Sequence, residues 1–277
     1  MLALPFFYGR WRMITGNKIV WTAISAMLGF VLVMFMNARK RNVIVHEMKI
    51  ETGKSLDRQL TVFFISDIHR RKIDEKLMAK ILAHKEVDMV IIGGDLAERG
   101  VPLSRIADNI SNLARLGPLF YVWGNNDREV GEEKIRAIIN GYGGKILDNE
   151  SVAIPGHPGW GICGTDDPSS RNVDIVSTFR YINNYENTIL VTHTPSLFRK
   201  VEQVHQPRLM LAGHTHGGQI RFGKFGLQEK GTFQLQEGRA KLISNGYGTS
   251  TLPLRLGAES ECHMITISYA ESVSKGC

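Results

Sequence analysis

The sequence predicts an α/β domain with at least one largely parallel sheet, preceded by a single membrane-spanning helix. Three observations carry that expectation. From residue 60 onward, short apolar runs of strand length alternate with longer stretches of helical period. Five of the strand-like runs end in glycine, aspartate, asparagine or histidine. A separate, uninterrupted apolar segment lies near the N-terminus.

That segment, residues 19–36, reads IVWTAISAMLGFVLVMFM and holds no charge. As a helix it spans about 27 Å, close to the ~30 Å hydrocarbon core of a bilayer. Lys18 bounds one end and Arg39-Lys40-Arg41 the other, and Trp11 and Trp21 suit the membrane interface. Signal-peptide cleavage after Ala38 would place Met36 where a small residue is required, so an uncleaved anchor is expected. Residues 1–41 are thus assigned to the anchor and 42–277 to the domain. Flanking positive charge slightly favours a single-pass cell-membrane protein with its domain in the cytoplasm. Three cysteines, Cys163, Cys262 and Cys277, are too few for a disulfide scaffold and agree with a reducing compartment.

The net charge of +7 is concentrated in the same place. Residues 1–41 carry six Lys/Arg and no Asp/Glu, leaving 28 Lys/Arg against 27 Asp/Glu beyond them. A nearly neutral domain argues against nucleic acid as a partner, since polyanion binding leans on clustered cations.

In chain order, residues 42–60 read as a tether. Strands follow at 61–66, 88–93, 119–124, 187–192 and 208–213, with helices at 75–86, 103–116, 132–140, 173–183 and 196–204. Residues 145–163 hold two or three short strands, and 217–269 look all-β, which a second sheet packed on the first accommodates.

The chemistry sits at the strand ends. They carry, in order, Asp67-Ile68-His69, Gly94-Asp95, Asn125-Asn126-Asp127, His193 and His214-Thr215-His216. Singly, each has an ordinary explanation as a turn, a helix cap or a satisfied loop histidine. Ligands of open α/β sheets bind outside the carboxyl ends of the strands, so five such clusters would converge on one crevice. Asp67, His69, Asp95, Asn125, His193, His214 and His216 make seven candidate ligands, more than one divalent cation needs. Two metals sharing a carboxylate fit, with Asp95 the natural bridge. In D-x-H and H-x-H the ligands stand two apart and project to one side of an extended segment. A mixed N/O set without thiolate favours Mn, Fe or Zn.

Taken in order, these motifs resemble those of the calcineurin-like metallophosphoesterase superfamily: D-x-H, G-D, G-N-H-[DE], H and G-H-x-H. The likeness covers roughly residues 60–250. The run at 212–220 (AGHTHGGQI) further resembles a membrane-associated bacterial subgroup that includes phosphodiesterase-like proteins and a UDP-diacylglucosamine pyrophosphatase. The resemblance implies a four-layer α/β/β/α sandwich of two mixed sheets flanked by helices. It implies one metal on Asp67, His69 and His216, another on Asn125, His193 and His214, and Asp95 between them. It also implies hydrolysis of a phosphate ester or pyrophosphate, on a phosphorylated small molecule or lipid.

One position departs from the pattern. Where the family has a histidine that assists the leaving oxygen, this chain has Asn126, which cannot titrate near neutral pH. Asp127, the partner that would orient that histidine, is retained, so both are carried as catalytic candidates. Two alternatives remain at this point: a metal-binding pseudoenzyme tethered to the membrane, and a nucleic acid phosphodiesterase.

Overall fold

The computed structural model describes residues 6–52 and 58–271; Cys277 and the Trp11 side chain lie outside them. A long helix, α1 (Phe6–Ala38), comes first, followed by strands β1 (Asn42–Thr52) and β2 (Leu60–Ile65). Next come α2 (Glu75–Leu82), β3 (Met89–Ile92), α3 (Leu103–Ala114), β4 (Leu119–Tyr121), α4 (Asp127–Val130) and α5 (Glu132–Gly141). The chain continues through β5 (Lys145–Ile146), β6 (Glu150–Ala153), β7 (Trp160–Gly164), α6 (Ile175–Thr178), β8 (Asn187–Val191), α7 (Leu197–Glu202) and β9 (Leu209–Ala212). It ends with β10 (Arg221–Phe222), β11 (Phe225–Gly226), β12 (Thr232–Gln236), β13 (Arg239–Ile243) and β14 (Glu261–Glu271).

Two six-stranded mixed sheets form, in the orders β1-β14-β2-β3-β4-β5 and β12-β13-β9-β8-β7-β6. The central pairs β2/β3, β3/β4, β7/β8 and β8/β9 are parallel, so their carboxyl ends open on common rims. The period-2 geometry of a strand divides the apolar residues between faces. In β2, Phe63 and Ile65 face the helical layer of α2, α3 and α5, while Leu60, Val62 and Phe64 face the other sheet. In β9, Leu209 and Leu211 meet the first sheet, and Met210 and Ala212 pack with Phe198 and Val201 of α7. Three apolar layers between four structural layers result, and strands buried on both faces explain the near-continuous apolar runs.

The ends of the elements are chemically marked. Asp74 caps α2 by accepting from Leu77 N–H, and Leu77, Met78 and Ile81 bury the inner stripe of that helix. The helix expected over 173–183 is reduced to the one-turn α6 and a tight turn at Ile182–Asn184.

The tether expected over residues 42–60 is corrected: eleven of those residues are strand β1. It pairs in parallel with β14 from Asn42↔Glu261 to Thr52↔Glu271. Met48 and Ile50 are buried between the sheets, while Glu47, Lys49 and Glu51 point to solvent. An edge strand with one polar face has a weak local pattern, and its partner lies more than 200 residues away.

Helix α1 behaves differently from the domain. Its window Lys18–Ala38 has a mean hydropathy of 2.3 and only 6% of it is buried. Its C-terminal end docks on the domain: Met34 and Ala38 are buried, and Arg255 N–H donates to Met34 C=O at 3.0 Å. Beyond it, Lys40 pairs with Glu259 and Arg41 with Asp74.

Candidate metal centre

Five strand-end loops build the site by bonding to one another. Asp67 N–H donates to Gly94 C=O at 3.0 Å, and His69 N–H to Asp95 C=O at 3.2 Å. Thr192 N–H reaches Leu211 C=O, and Gly213 N–H reaches His193 C=O, both at 3.0 Å. The loops of each sheet are thereby held at one level. Space is tight: a Cβ at Gly124 would stand 2.1 Å from Asp95 N, and one at Gly94 2.6 Å from His193 Nδ1. Gly94 also has φ +84°, which side-chain-bearing residues avoid.

Backbone strain concentrates on the predicted ligands. Asp67, His69, Asp95, His214 and His216 all adopt left-handed φ, between 49° and 70°. Such conformations cost of order 1 kcal/mol or more each and persist only where the surrounding structure enforces them. Here they turn successive side chains into one space.

The donor atoms converge. His69 Nε2 lies 3.1 Å from His216 Nε2 and 3.7 Å from Asp95 Oδ2. His216 Nε2 is 3.3 Å from Asp67 Oδ1. On the other side, His193 Nε2 stands 3.4 Å from Asp95 Oδ2 and 3.1 Å from both Asn125 Oδ1 and His214 Nδ1. His214 Nδ1 lies 2.9 Å from Asn125 Oδ1. Asp95 Oδ2 thus sits between the two groups. Ligands at ~2.1 Å from a cation are separated by roughly 3.0–3.4 Å, so these spacings suit metal coordination. All seven residues named from the sequence are brought together. Asp67, His69, Asp95, His193 and His216 are buried, Asn125 is half-buried, and His214 is exposed at the rim.

A family model of calcineurin-like phosphoesterases matches residues 60–218, which covers every one of these donors. The chain belongs to that family. It is 42% identical over 241 residues to the Bacillus subtilis uncharacterized protein YpbG, covering 86% of this chain and 92% of that one. It is also similar to the Escherichia coli phosphodiesterase YaeI, with 28% identity over 179 residues, 58% of this chain and 62% of YaeI. Among solved structures, a Thermus thermophilus 5'-nucleotidase precursor shares the fold. The TM-score is 0.50 at 14% identity, over 76% of this chain and 55% of that one.

A histidine can offer a lone pair to a cation when its other ring nitrogen faces an acceptor, and two of these histidines have such an outer contact. His193 Nδ1 lies 2.9 Å from Gly93 C=O, an acceptor, so its proton belongs there and Nε2 faces the site. Glu98 Oε2 lies 2.9 Å from His69 Nδ1, close though off the ring N–H axis, with the same consequence. Arg70 in turn holds Glu98. His216 differs: beneath it lies Arg255, wholly buried, with one nitrogen donating toward His216 Nδ1 at 3.1 Å and the others donating to the carbonyls of His216, Gly248 and Ala258. Burial lowers this guanidinium to about 10, still charged at neutral pH.

Electrostatics describe a site built for cations. Burial opposes charge on His193, but Asp95 and Asp67 outweigh it and push the ring up to about 10. Burial raises the Asp95 carboxyl, yet the nearby His193 and His69 hold it well below the usual carboxylate range. His216 goes the other way: burial, opposed by Asp67 and aided by His69 and Arg255, lowers it to about 4. The donor set, with two buried carboxylates, fits divalent cations, whose uptake would release the protons held on His193 and His69.

The two catalytic candidates occupy different places. Asn126 is half-buried beside the site, with its side chain on Asp95. Asp127 is buried behind the loop, where it accepts from Ala97 N–H at 3.0 Å, Gly124 N–H at 2.8 Å and Tyr121 Oη–H at 2.7 Å. Burial and repulsion from Asp95 raise its carboxyl to about 6. Glu98 and Arg255 were not singled out in the sequence. Glu98 stands three residues after Asp95 and carried a local hint as a carboxylate near the motif; Arg255, 39 residues from His216, carried none.

Proposed function

We propose that this chain is a membrane-tethered hydrolase that cleaves phosphodiester or pyrophosphate bonds with a pair of divalent cations. The observation that carries it is the convergence of seven donor side chains around Asp95 Oδ2. Asp67, His69 and His216 would hold one cation and Asn125, His193 and His214 the other, with Asp95 common to both; the donor types favour Mn, Fe or Zn. When bound, that pair supplies Lewis-acid activation of water and neutralises charge on the phosphoryl oxygens.

The chain's own groups orient the site. Glu98 and Gly93 C=O keep the protons of His69 and His193 on their outer nitrogens. Asn126 holds both oxygens of Asp95. Asp127 acts through the loop, pinning Gly124 N–H and so the chain that carries Asn125 and Asn126. With an amide at position 126, the site favours leaving groups that depart without a proton, such as a nucleotide, a phosphate or an aryl oxide. The phosphodiesterase designation of YaeI supports diester chemistry. The exposure of a 21-residue apolar helix supports the tether, because a soluble core helix of that hydropathy is buried. A phosphorylated lipid or nucleotide-linked lipid suits both features.

The test is direct. The full chain, purified in mild detergent and loaded with Mn, is assayed on an alkyl phosphomonoester, p-nitrophenyl phosphate, bis(p-nitrophenyl) phosphate and a nucleotide-linked pyrophosphate. Asp95→Asn and His216→Ala should abolish turnover while unfolding cooperatively like the parent. Unchanged turnover in either variant, or a preference for alkyl monoesters, would overturn the proposal.

A further inference from the structure

The hairpin that follows the last metal-type ligands carries a dense run of exposed apolar side chains. β10 and β11 pair only with each other, outside both main sheets. Phe222, Phe225 and Leu227 are 66%, 72% and 93% exposed within six residues of chain, and Leu252 beside them is 54% exposed. The ribbon is nevertheless rigidly built. Arg221 is buried, and its guanidinium donates to the carbonyls of Gly217 at 2.8 Å, Lys224 at 3.1 Å and Gln228 at 3.1 Å. Apolar side chains held outward on a fixed frame mark a contact surface rather than a frayed loop.

What covers the hairpin follows from what it is bonded to. Arg221 N–H donates to Leu256 C=O at 2.8 Å, and Leu256 N–H to Gln219 C=O at 2.9 Å. The next residue, Arg255, donates its N–H to Met34 C=O inside the apolar window of α1. Gln219 Nε2 reaches Leu252 C=O at 2.9 Å and Ser250 C=O at 3.1 Å, drawing the Leu252 loop into the same unit. The hairpin is therefore continuous, through one strand of loop, with the end of the helix proposed to span the membrane. Cations border it: Lys224 and Lys230 on the hairpin side, with Glu229 between them in sequence, and Arg39 and Lys40 at the helix end, where Lys40 pairs with Glu259. Lys224 Nζ sits 5.6 Å above the Phe225 ring, a cation and an apolar face presented together. Such pairing matches an anionic headgroup layer over hydrocarbon, where long cationic side chains reach the phosphates while rings enter the boundary.

We infer that the β10–β11 hairpin is a second membrane contact, with Phe222, Phe225, Leu227 and Leu252 seated in the lipid interface beside α1 and Lys224 and Lys230 at the headgroups. The inference rests on the tether reading of α1. Its consequence is geometric. His214 and His216 lie seven and five residues before the hairpin on a chain pinned by Arg221 and Arg255, so the exposed rim at His214 is held at headgroup level.

The test reads depth in the bilayer and uses no turnover, so it is independent of the hydrolase assignment. The full chain carries Cys277→Ser; Cys163 and Cys262 are buried, and burial raises both thiols far above their usual range. Single cysteines are introduced as Leu28→Cys in α1, Phe225→Cys in the hairpin and Val176→Cys in the exposed helical layer of the second sheet. Each is labelled with a small environment-sensitive fluorophore and reconstituted into phosphatidylcholine–phosphatidylglycerol vesicles containing a lipid spin-labelled on its acyl chain. Loss of fluorescence at positions 28 and 225, with none at 176, is expected. Loss at 28 but not at 225 would overturn the hairpin contact and leave the tether standing. No loss at either would overturn both. Self-quenching at 225 that grows with protein density, without lipid quenching, would assign the hairpin to a second copy and overturn the inference.

Discussion

Asn126 grips both oxygens of Asp95: its backbone N–H donates to Oδ1 and its side-chain amide to Oδ2, each at 2.8 Å. The amide therefore sets the orientation of the carboxylate shared by both candidate cation positions, in the place where the family pattern has a histidine.

This relationship makes leaving-group preference testable. Asn126→His would restore a titratable group, and a general acid typically contributes about 10²–10⁴ in rate. Turnover of an alkyl diester should rise by a sizeable part of that factor relative to a nucleotide-linked pyrophosphate. The ratio of the two kcat/KM values is the measurement. An unchanged ratio would show that position 126 only orients Asp95.

Glu98 is expected to act on metal affinity. Removing an outer partner of a ligating histidine typically costs about 10–100-fold in affinity. Glu98→Gln should raise the Mn concentration for half-maximal turnover by that factor, and Arg70→Ala, which only releases Glu98, by less. Identical Mn titrations for Glu98→Gln and the parent would remove Glu98 from this role.

His263 should make stability depend on pH. It is buried against His46 and Ser244, and burial with the neighbouring His46 lowers it to about 3 from 6.5. Between those values the unfolded chain binds a proton that the folded chain does not. The contribution is thus complete above about pH 6.5 and lost at about 1.4 kcal/mol per unit as pH falls toward 3. Urea unfolding of the detergent-solubilised parent and His263→Asn at pH 7.5 and 5.5 should differ by this slope, since the shifts of His193 and His216 are common to both.

The docked end of α1 bears on where the domain can be cut. Lys40–Glu259 and Arg41–Asp74 are partly exposed pairs, each contributing about 0–1 kcal/mol, and Arg71 donates to the carbonyls of Arg39 and Lys40. A chain of residues 39–277 should be recovered in the soluble fraction and melt above one of residues 42–277. The full chain should stay with membranes after a high-salt wash, because apolar burial is insensitive to salt. Release by salt alone would refute the tether.

The sequence by itself determined the apolar span, the strands that end in polar clusters and the identity of the seven converging donors. Those signals are local: β2, β3, β8 and β9 lie buried on both faces and so read as continuous apolar runs, and their polar ends stand out against them. Only the tertiary structure decided the rest. The first edge strand is paired with β14 across more than 200 residues, and its half-polar pattern resembles a linker when read alone. Glu98 and Arg255 acquire their roles only where folded loops bring them to His69 and His216. The same holds for Asn126, whose partner is 31 residues away. Left-handed backbone at Asp67, His69, Asp95, His214 and His216 is likewise a property of the packed loops, because nothing in an aspartate or histidine prefers it enough to be read from the chain. Hydrophobic periodicity is written residue by residue, whereas the geometry of a site is fixed by contacts between segments that share no sequence neighbourhood.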